Sequence, residues 1–260
     1  DENYYPGYDL LLSGLKDKPE LLANYFRPGM GAYYVRCDPR SKRQSEIRPM
    51  MAQLWTTKGC VARCTFCQRS TKGYRVFNLE GLDAHLKELR TRFNVGFVHI
   101  LDENFGSDRA HTKEIAEILH RNEMLLFCGG VRVSTVDAEY VQFLKDHGCM
   151  SLKFGVESGS KTIMDVMEKK FTPERVFESL QLLADRDMYS PLAFMVGMPG
   201  ETTASVKETG KFWGRLCHMQ GTHPWHGVTS VFYALPLPGT PLFVYGQQKG
   251  VIDTSVDEEE

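Results

Sequence analysis

The sequence predicts an α/β fold, a partial (β/α)6 barrel of parallel strands open on one side. Short apolar runs alternate along the chain with segments of helical periodicity, the pattern of a parallel sheet joined by right-handed crossovers. Polar residues gather just after the apolar runs, at the strand ends where barrels place their chemistry. The length, 260 residues, is close to what one such barrel needs.

Met51–Thr56 is a short apolar run entering a cysteine-rich loop and reads as the first strand. Leu79–Phe93 sets Leu82, Leu86, Leu89 and Phe93 at helical spacing. Gly96–Leu101 is a second strand and ends in Asp102-Glu103-Asn104. His111–Met124 is helical, with Ile115, Ile118 and Leu119 on one side. Leu125–Val133 is a third strand interrupted by Gly129-Gly130, and Asp137–His147 a helix closed by Gly148. Met150–Val156 is a fourth strand, followed by Glu157-Ser158-Gly159-Ser160 and a short helix over Lys161–Met167. A longer helix starts at Thr172-Pro173-Glu174, where Thr caps and Pro takes the first helical position. Leu192–Gly197 is a fifth strand, Thr202–Met219 its helix, and Val228–Leu235 the sixth strand. No internal repeat or low-complexity segment interrupts this order.

Composition removes several function classes. Hydrophobic residues make up 42% and charged residues 25%, as in ordinary globular proteins. The formal charge of -2 leaves no basic excess for holding a long nucleic acid. The longest apolar runs, such as Leu192–Met198, are far shorter than the roughly 20 residues of a membrane span. The chain begins at Asp1 without Met or a signal pattern and stops on Asp257-Glu258-Glu259-Glu260, so both ends read as cut from a longer protein. Residues 1–49 then form a lead-in or linker, helical from Tyr8 onward, residues 50–245 the core, and residues 246–260 a tail.

The seven cysteines are an odd number with no signal sequence, which argues for a reducing compartment such as the cytoplasm and against a disulfide framework. Cys128, Cys149 and Cys217 sit in apolar segments as small hydrophobes, and Cys37 lies in a polar stretch. Cys60, Cys64 and Cys67 form a C-x3-C-x2-C triplet. That spacing also suits one packed helical face, but Leu or Val would pack there without redox risk. Thiolates select zinc or iron–sulfur clusters, and a closed zinc site needs four ligands. No second cysteine pair exists, and neither His85 nor His99 has helpful spacing. A cluster gripped by three cysteines leaves one iron open to a ligand.

With Phe66 just before the last cysteine, the triplet resembles the C-x3-C-x-aromatic-C signature of radical S-adenosylmethionine enzymes. The resemblance covers about residues 50–245 and implies the partial barrel, a [4Fe-4S] cluster on Cys60, Cys64 and Cys67, and S-adenosylmethionine on the fourth iron. Phe66 would pack on the adenine. Asp102-Glu103-Asn104-Phe105 departs from the superfamily's common Gly-Gly-Glu and resembles the Asp-Asp-Asn-Phe of its cobalamin-dependent branch. Asp102, Glu103 or Asn104 would accept from the methionine ammonium, which has donors only; a helix-capping acidic turn is the plainer alternative. Arg132 at the third strand's end would pair with the methionine carboxylate or a substrate anion, or make a surface ion pair. Gly155-Val156-Glu157-Ser158-Gly159-Ser160 matches the same branch and implies that Glu157 or Ser158 meets the ribose hydroxyls. Met195, in Phe194–Glu201, would line the adenine, and backbone atoms near Ala234 and Leu235, before Pro238-Gly239-Thr240-Pro241-Leu242, would meet its edge.

Other features read plainly. Glu201 favours the start of a helix, and Lys169 matches the branch but reads as solvated. His218, His223 and His226 surround Trp225 without a metal motif, and Arg40-Ser41-Lys42-Arg43 reads as a solvent-facing patch. The expected activity is reductive cleavage of S-adenosylmethionine to a 5′-deoxyadenosyl radical. Radical methyl transfer, rearrangement or cyclisation of a small-molecule or peptide substrate would follow. A one-electron donor such as flavodoxin or ferredoxin is implied. So is cobalamin, which the branch binds in a separate domain outside this chain. The competing readings are a non-catalytic zinc or iron–sulfur regulatory module and a methylthiotransferase, which would carry three more cysteines upstream, where only Cys37 stands.

Overall fold

The central strands are buried on both faces over most of their length, as parallel strands between a helix layer and a closed floor are, and the strand over Cys149–Glu157 alternates only toward its end. The computed structural model describes residues 7–69, 71, 73–221 and 229–253. Thus His223, Trp225, His226, the Val228 start of the sixth strand and the Asp257–Glu260 run lie outside the described residues.

The elements in chain order are α1 (Tyr8–Gly14), β1 (Arg27–Pro28), α2 (Tyr33–Arg36), α3 (Arg40–Ile47), β2 (Met50–Leu54), β3 (Thr57–Gly59), β4 (Tyr74–Val76), α4 (Leu79–Phe93) and β5 (Val95–Ile100). Then follow α5 (Arg109–Arg121), β6 (Leu125–Val131), α6 (Ala138–Asp146), β7 (Cys149–Glu157), α7 (Lys161–Val166), α8 (Pro173–Ala184), β8 (Leu192–Val196), α9 (Thr203–Gln220), β9 (Thr229–Tyr233) and α10 (Pro241–Gln248). The main sheet runs β1-β2-β5-β6-β7-β8-β9 and curls into an open half-barrel. Strands β2 and β5 to β9 are parallel, and β1 is an antiparallel edge through Arg27↔Met51 and Pro28↔Met50. The six expected strands and their helices all appear. β1, α3, α10 and the β3–β4 pair were not foreseen.

On β7, Leu152, Phe154 and Val156 are fully buried toward the helices, whereas Lys153, Gly155 and Glu157 face a lumen. The helix side is packed by Leu82, Leu86 and Leu89 of α4, Ile115 and Leu119 of α5, Leu144 of α6, Leu180 of α8 and Leu216 of α9. Side-chain caps fix the helix starts. Asn78, Asp108, Asp137, Thr172, Thr202 and Thr240 each accept a backbone N–H in the following first turn. Asp108 therefore starts α5 two residues before the expected His111. Glu201 does not open α9. Thr202 caps it with Ser205 in a capping box, and the Glu201 carboxylate accepts from the Gly197 N–H.

Of the basic stretch Arg40–Arg43, Lys42 and Arg43 face solvent as expected, but Arg40 and Ser41 do not. The Arg40 guanidinium pairs with Asp38 and donates to the carbonyls of Lys145 and Cys149, both at 2.7 Å. Ser41 is fully buried beside Met150, and Gln44 donates to the Gly96 and Glu123 carbonyls. Apart from Asp38, these partners lie at the first residues of β5 and β7, just before β6 and at the end of α6, so α3 is clamped across the lower ends of the strands. Val35 packs there with Phe97, Phe127, Met150 and Tyr189, closing the barrel floor with apolar residues. Among the described residues no helix is long and apolar enough to cross a membrane.

The N-terminal helix docks through a titratable contact. The Tyr8 hydroxyl and His85 Nε2 are 2.8 Å apart, and Tyr8 packs on Phe26 and Phe93. Burial pushes His85 down from the usual 6.5 to about 4, with Glu88 opposing, and burial with Lys153 does the same to His99. The unfolded chain thus takes up protons between pH 6.5 and 4 that the folded chain refuses, so stability falls as pH drops through that window. For His85 the expected loss at pH 5 is about 2 kcal/mol. Urea unfolding at pH 7 and pH 5 measures it, and His85→Gln should roughly halve the pH dependence.

Candidate functional site

The site is assembled from loops at the carboxyl ends of the parallel strands. After β2 the chain turns into a hairpin, β3 with β4, paired Thr57↔Val76, Lys58↔Arg75 and Gly59↔Tyr74. The cysteine motif is the loop of that hairpin. Gly59 has φ +86°, and a Cβ there would lie 2.3 Å from the Gly73 carbonyl oxygen, so the arm closes only on glycine.

Thr65, in the middle of the motif, pins the loop to the barrel. Its N–H donates to the Met167 carbonyl at 3.2 Å and its hydroxyl to the Val166 carbonyl at 2.9 Å, while its own carbonyl accepts from Leu242 N–H at 3.0 Å. The end of α7 and the start of α10 thus hold Cys64 and Cys67 in place, and Cys67 N–H closes a turn onto the Cys64 carbonyl. All three sulfurs are free thiols; those of Cys60 and Cys64 are half-buried and that of Cys67 more open. Burial pushes the Cys67 thiol up, the neighbouring Cys64 and Cys60 push it further, and Lys169 opposes. Cys64 and Cys67 line a cavity of about 750 Å³ with Arg63, Glu168 and Pro238.

Asp102 has only 3% of its surface exposed, and its carboxylate is fully engaged. It accepts from Thr56 N–H (2.7 Å), Thr57 N–H (3.1 Å), the Thr56 hydroxyl (2.6 Å) and the Thr57 hydroxyl (2.8 Å). It therefore ties the end of β5 to the base of the cysteine hairpin. Its neighbours differ. Asn104 is completely buried, yet neither its amide N nor its O meets a partner among the described residues. Glu103 is exposed and close enough to raise the Cys67 thiol. A Cβ on Gly130 would sit 2.4 Å from the Asp102 carbonyl, so β6 can approach this turn only through glycine.

Glu157 ends β7 in the left-handed region at φ +62°, an uncommon conformation for a non-glycine residue. There its Oε1 lies 3.2 Å from Lys169 Nζ, and the carboxylate borders the lumen. Ser158 is turned away: its hydroxyl is 3.1 Å from Thr209 Oγ1 and accepts from Ser160 N–H. Lys169 is not solvated. It is 7% exposed, donates to the Gly155 carbonyl as well as Glu157, and stands 5.4 Å from the Phe66 ring centroid. Its carbonyl accepts from Arg132 at 3.2 Å, the contact that Arg132 makes in place of a surface ion pair.

Phe66, Met195 and Ala234, far apart in sequence, meet in one small apolar cluster with Ile163, Met167, Met198 and Leu242. Leu235 is 62% exposed beside it. His218, in the last turn of α9, is exposed. Sequence reading missed Thr56, Thr57 and Thr65 and misplaced Lys169; paired threonines after a strand were the one available signal. Lys169→Met should leave Glu157 without its cation in a poorly solvated place. We expect a loss of about 2–3 kcal/mol in urea unfolding, less than for a fully buried pair.

The family model that matches is the radical SAM superfamily, over residues 56–212, more than half of the chain. An uncharacterised methyltransferase of Pyrococcus horikoshii is 26% identical over 73% of this chain and 40% of its own length. The anaerobic magnesium-protoporphyrin IX monomethyl ester cyclase of Rubrivivax gelatinosus is 25% identical over 59% of this chain and 29% of its own. Among solved structures, the radical S-adenosylmethionine methyltransferase TsrM of Kitasatospora setae superposes with a TM-score of 0.64 at 21% identity, covering 76% of this chain and 39% of that one. The chain thus spans less than half the length of each of these relatives. The half-barrel, the cysteine hairpin at its mouth and the match from Thr56 through Phe212 agree: the chain belongs to the radical S-adenosylmethionine superfamily.

Proposed function

We propose that this chain is the catalytic core of an enzyme that reductively cleaves S-adenosylmethionine for radical methyl transfer or cyclisation of an organic substrate. The observation that carries the reading is the pinned hairpin loop, which offers three free thiols at the barrel mouth beside the Phe66–Met195–Ala234 cluster. Membership in the superfamily implies a [4Fe-4S] cluster and S-adenosylmethionine. The donor set fits the cluster: three soft thiols, on a loop fastened at Thr65, with Glu103 and Lys169 as nearby charges. When bound, the pair supplies one-electron cleavage of the sulfonium, which yields methionine and a 5′-deoxyadenosyl radical.

The chain's own residues divide the work of holding that nucleoside. Cys60, Cys64 and Cys67 hold iron. Asn104, with its orphaned buried amide, and Glu103 accept from the methionine ammonium and steer its carboxylate. Glu157, fixed by Lys169, takes the ribose hydroxyls, and Phe66, Met195 and the backbone at Ala234 and Leu235 flank the adenine. Asp102 and Ser158 serve by bracing these parts. Residues 50–245 constitute the core, with 1–49 as a lead-in and 246–260 as a tail.

The methyltransferase and cyclase relatives support methyl transfer or cyclisation as the downstream step. TsrM, solved with cobalamin and a [4Fe-4S] cluster bound, supports cobalamin carried by a domain outside this chain. A small-molecule substrate, a flavodoxin- or ferredoxin-like donor and a reducing compartment such as the cytoplasm complete the reading. The zinc-module alternative is disfavoured. The family model and the methyltransferase and cyclase relatives favour an enzyme, and His85 is engaged with Tyr8. Anaerobic incubation with S-adenosylmethionine and dithionite tests the proposal by mass spectrometry. We expect 5′-deoxyadenosine; bound zinc and no nucleoside product would overturn it.

A further inference from the structure

Below the nucleoside positions, the lumen contains a cavity of about 580 Å³ bordered by His99, Phe127, Lys153, Glu157 and Phe232. Its charges do not cancel. The Glu157 carboxylate is already paired with Lys169, and that of Asp102 is closed off by Thr56 and Thr57. Lys153 faces the same space from β7 and meets neither a carboxylate nor any other acceptor among the described residues. Its charge is felt by His99 across the lumen. An ammonium inside a protein cavity with no counter-charge is costly unless a ligand provides one.

The walls around it are flat and apolar. Phe127 lies against His99 with ring centroids 4.6 Å apart, and Phe232 of β9 stands half-exposed on the lumen face. Gly129 and Gly155 border the same cavity without side chains to fill it. Lys153 precedes Glu157 by four residues on one strand, so its Cα lies about 13 Å back along that strand, deeper in the barrel. A ligand gripped at Lys153 would therefore extend upward along Phe232 toward the proposed ribose position.

We propose that this cavity is the substrate pocket and that it selects an organic anion, a carboxylate or a phosphonate, with Lys153 as the specificity-determining counter-charge. The inference deepens the proposed function and rests on it for the identity of the reactive end. The acid binds at Lys153, above the floor residue Phe127, and the apolar body lies against Phe232. The carbon to be modified then points at the barrel mouth.

Isothermal titration of the anaerobically reconstituted protein with phenylacetate, phenylphosphonate and neutral phenylacetamide tests this. Wild type should take up an anion about tenfold or more tightly than the amide. Lys153→Met should erase that preference and Lys153→Arg should keep it. Preference for phenylacetate marks a carboxylate substrate and preference for phenylphosphonate a phosphonate. Equal binding of acid and amide, no binding of any probe to wild type, or an unchanged preference in Lys153→Met would overturn the inference. Wild type that makes 5′-deoxyadenosine without anion preference sinks this inference alone. Wild type with the preference but no 5′-deoxyadenosine leaves the pocket standing and sinks the proposed chemistry.

Discussion

Cys64→Ala is expected to abolish 5′-deoxyadenosine formation and to strip the protein of its iron. Cys64 and Cys67 close one turn of the hairpin loop, and that turn is fastened by Thr65 to α7 and α10. With Cys64 removed, only two thiolates remain, which is too few to retain a cubane against exchange with solvent ligands. Iron and sulfide should fall from about four each per chain to near zero, and nucleoside product should drop below detection in mass spectrometry. Cys217→Ala, a change in half-buried packing on α9, should keep both. Retained iron in Cys64→Ala would mean that another side chain occupies that corner.

Asp102→Ala carries the second large effect, this time on stability. The carboxylate accepts four hydrogen bonds at 2.6 to 3.1 Å from Thr56 and Thr57, both only 1% exposed. Deleting it strands two backbone N–H groups and two hydroxyls in the interior. The expected cost is about 3–5 kcal/mol, read as a lowered urea midpoint at unchanged slope. Because Thr57 begins β3, the cysteine hairpin should loosen as well, and reconstituted iron should fall. Glu103→Gln separates bracing from binding. It sits on the exposed neighbour, so stability should stay within about 0.5 kcal/mol, while affinity for S-adenosylmethionine should weaken.

How much of this was legible beforehand follows from the range of each interaction. The period of apolar residues reports burial directly, so Leu79–Phe93 was read to the residue and the other main elements to within a few. The capping by Thr172 with Pro173 was equally local. Arg40 was misread because composition shows charge and not partners: the carbonyls that hold it lie 105 and 109 residues away. Lys169 was misread for the same reason, since its carboxylate partner, Glu157, comes from another strand end. β3 and β4 have only three residues each, too short for a period to register.

The sequence by itself determined the barrel, the cysteine triplet and the set of polar residues near the chemistry, because spacing along the chain encodes which side of an element is buried and which residues share a loop. Only the tertiary structure decided what each polar group does. It gave Asp102 to Thr56 and Thr57, turned Ser158 onto Thr209 and, among the described residues, left the Asn104 amide and Lys153 without a partner. A hydrogen bond or ion pair exists only where two distant segments meet within about 3 Å, and no local pattern records that meeting.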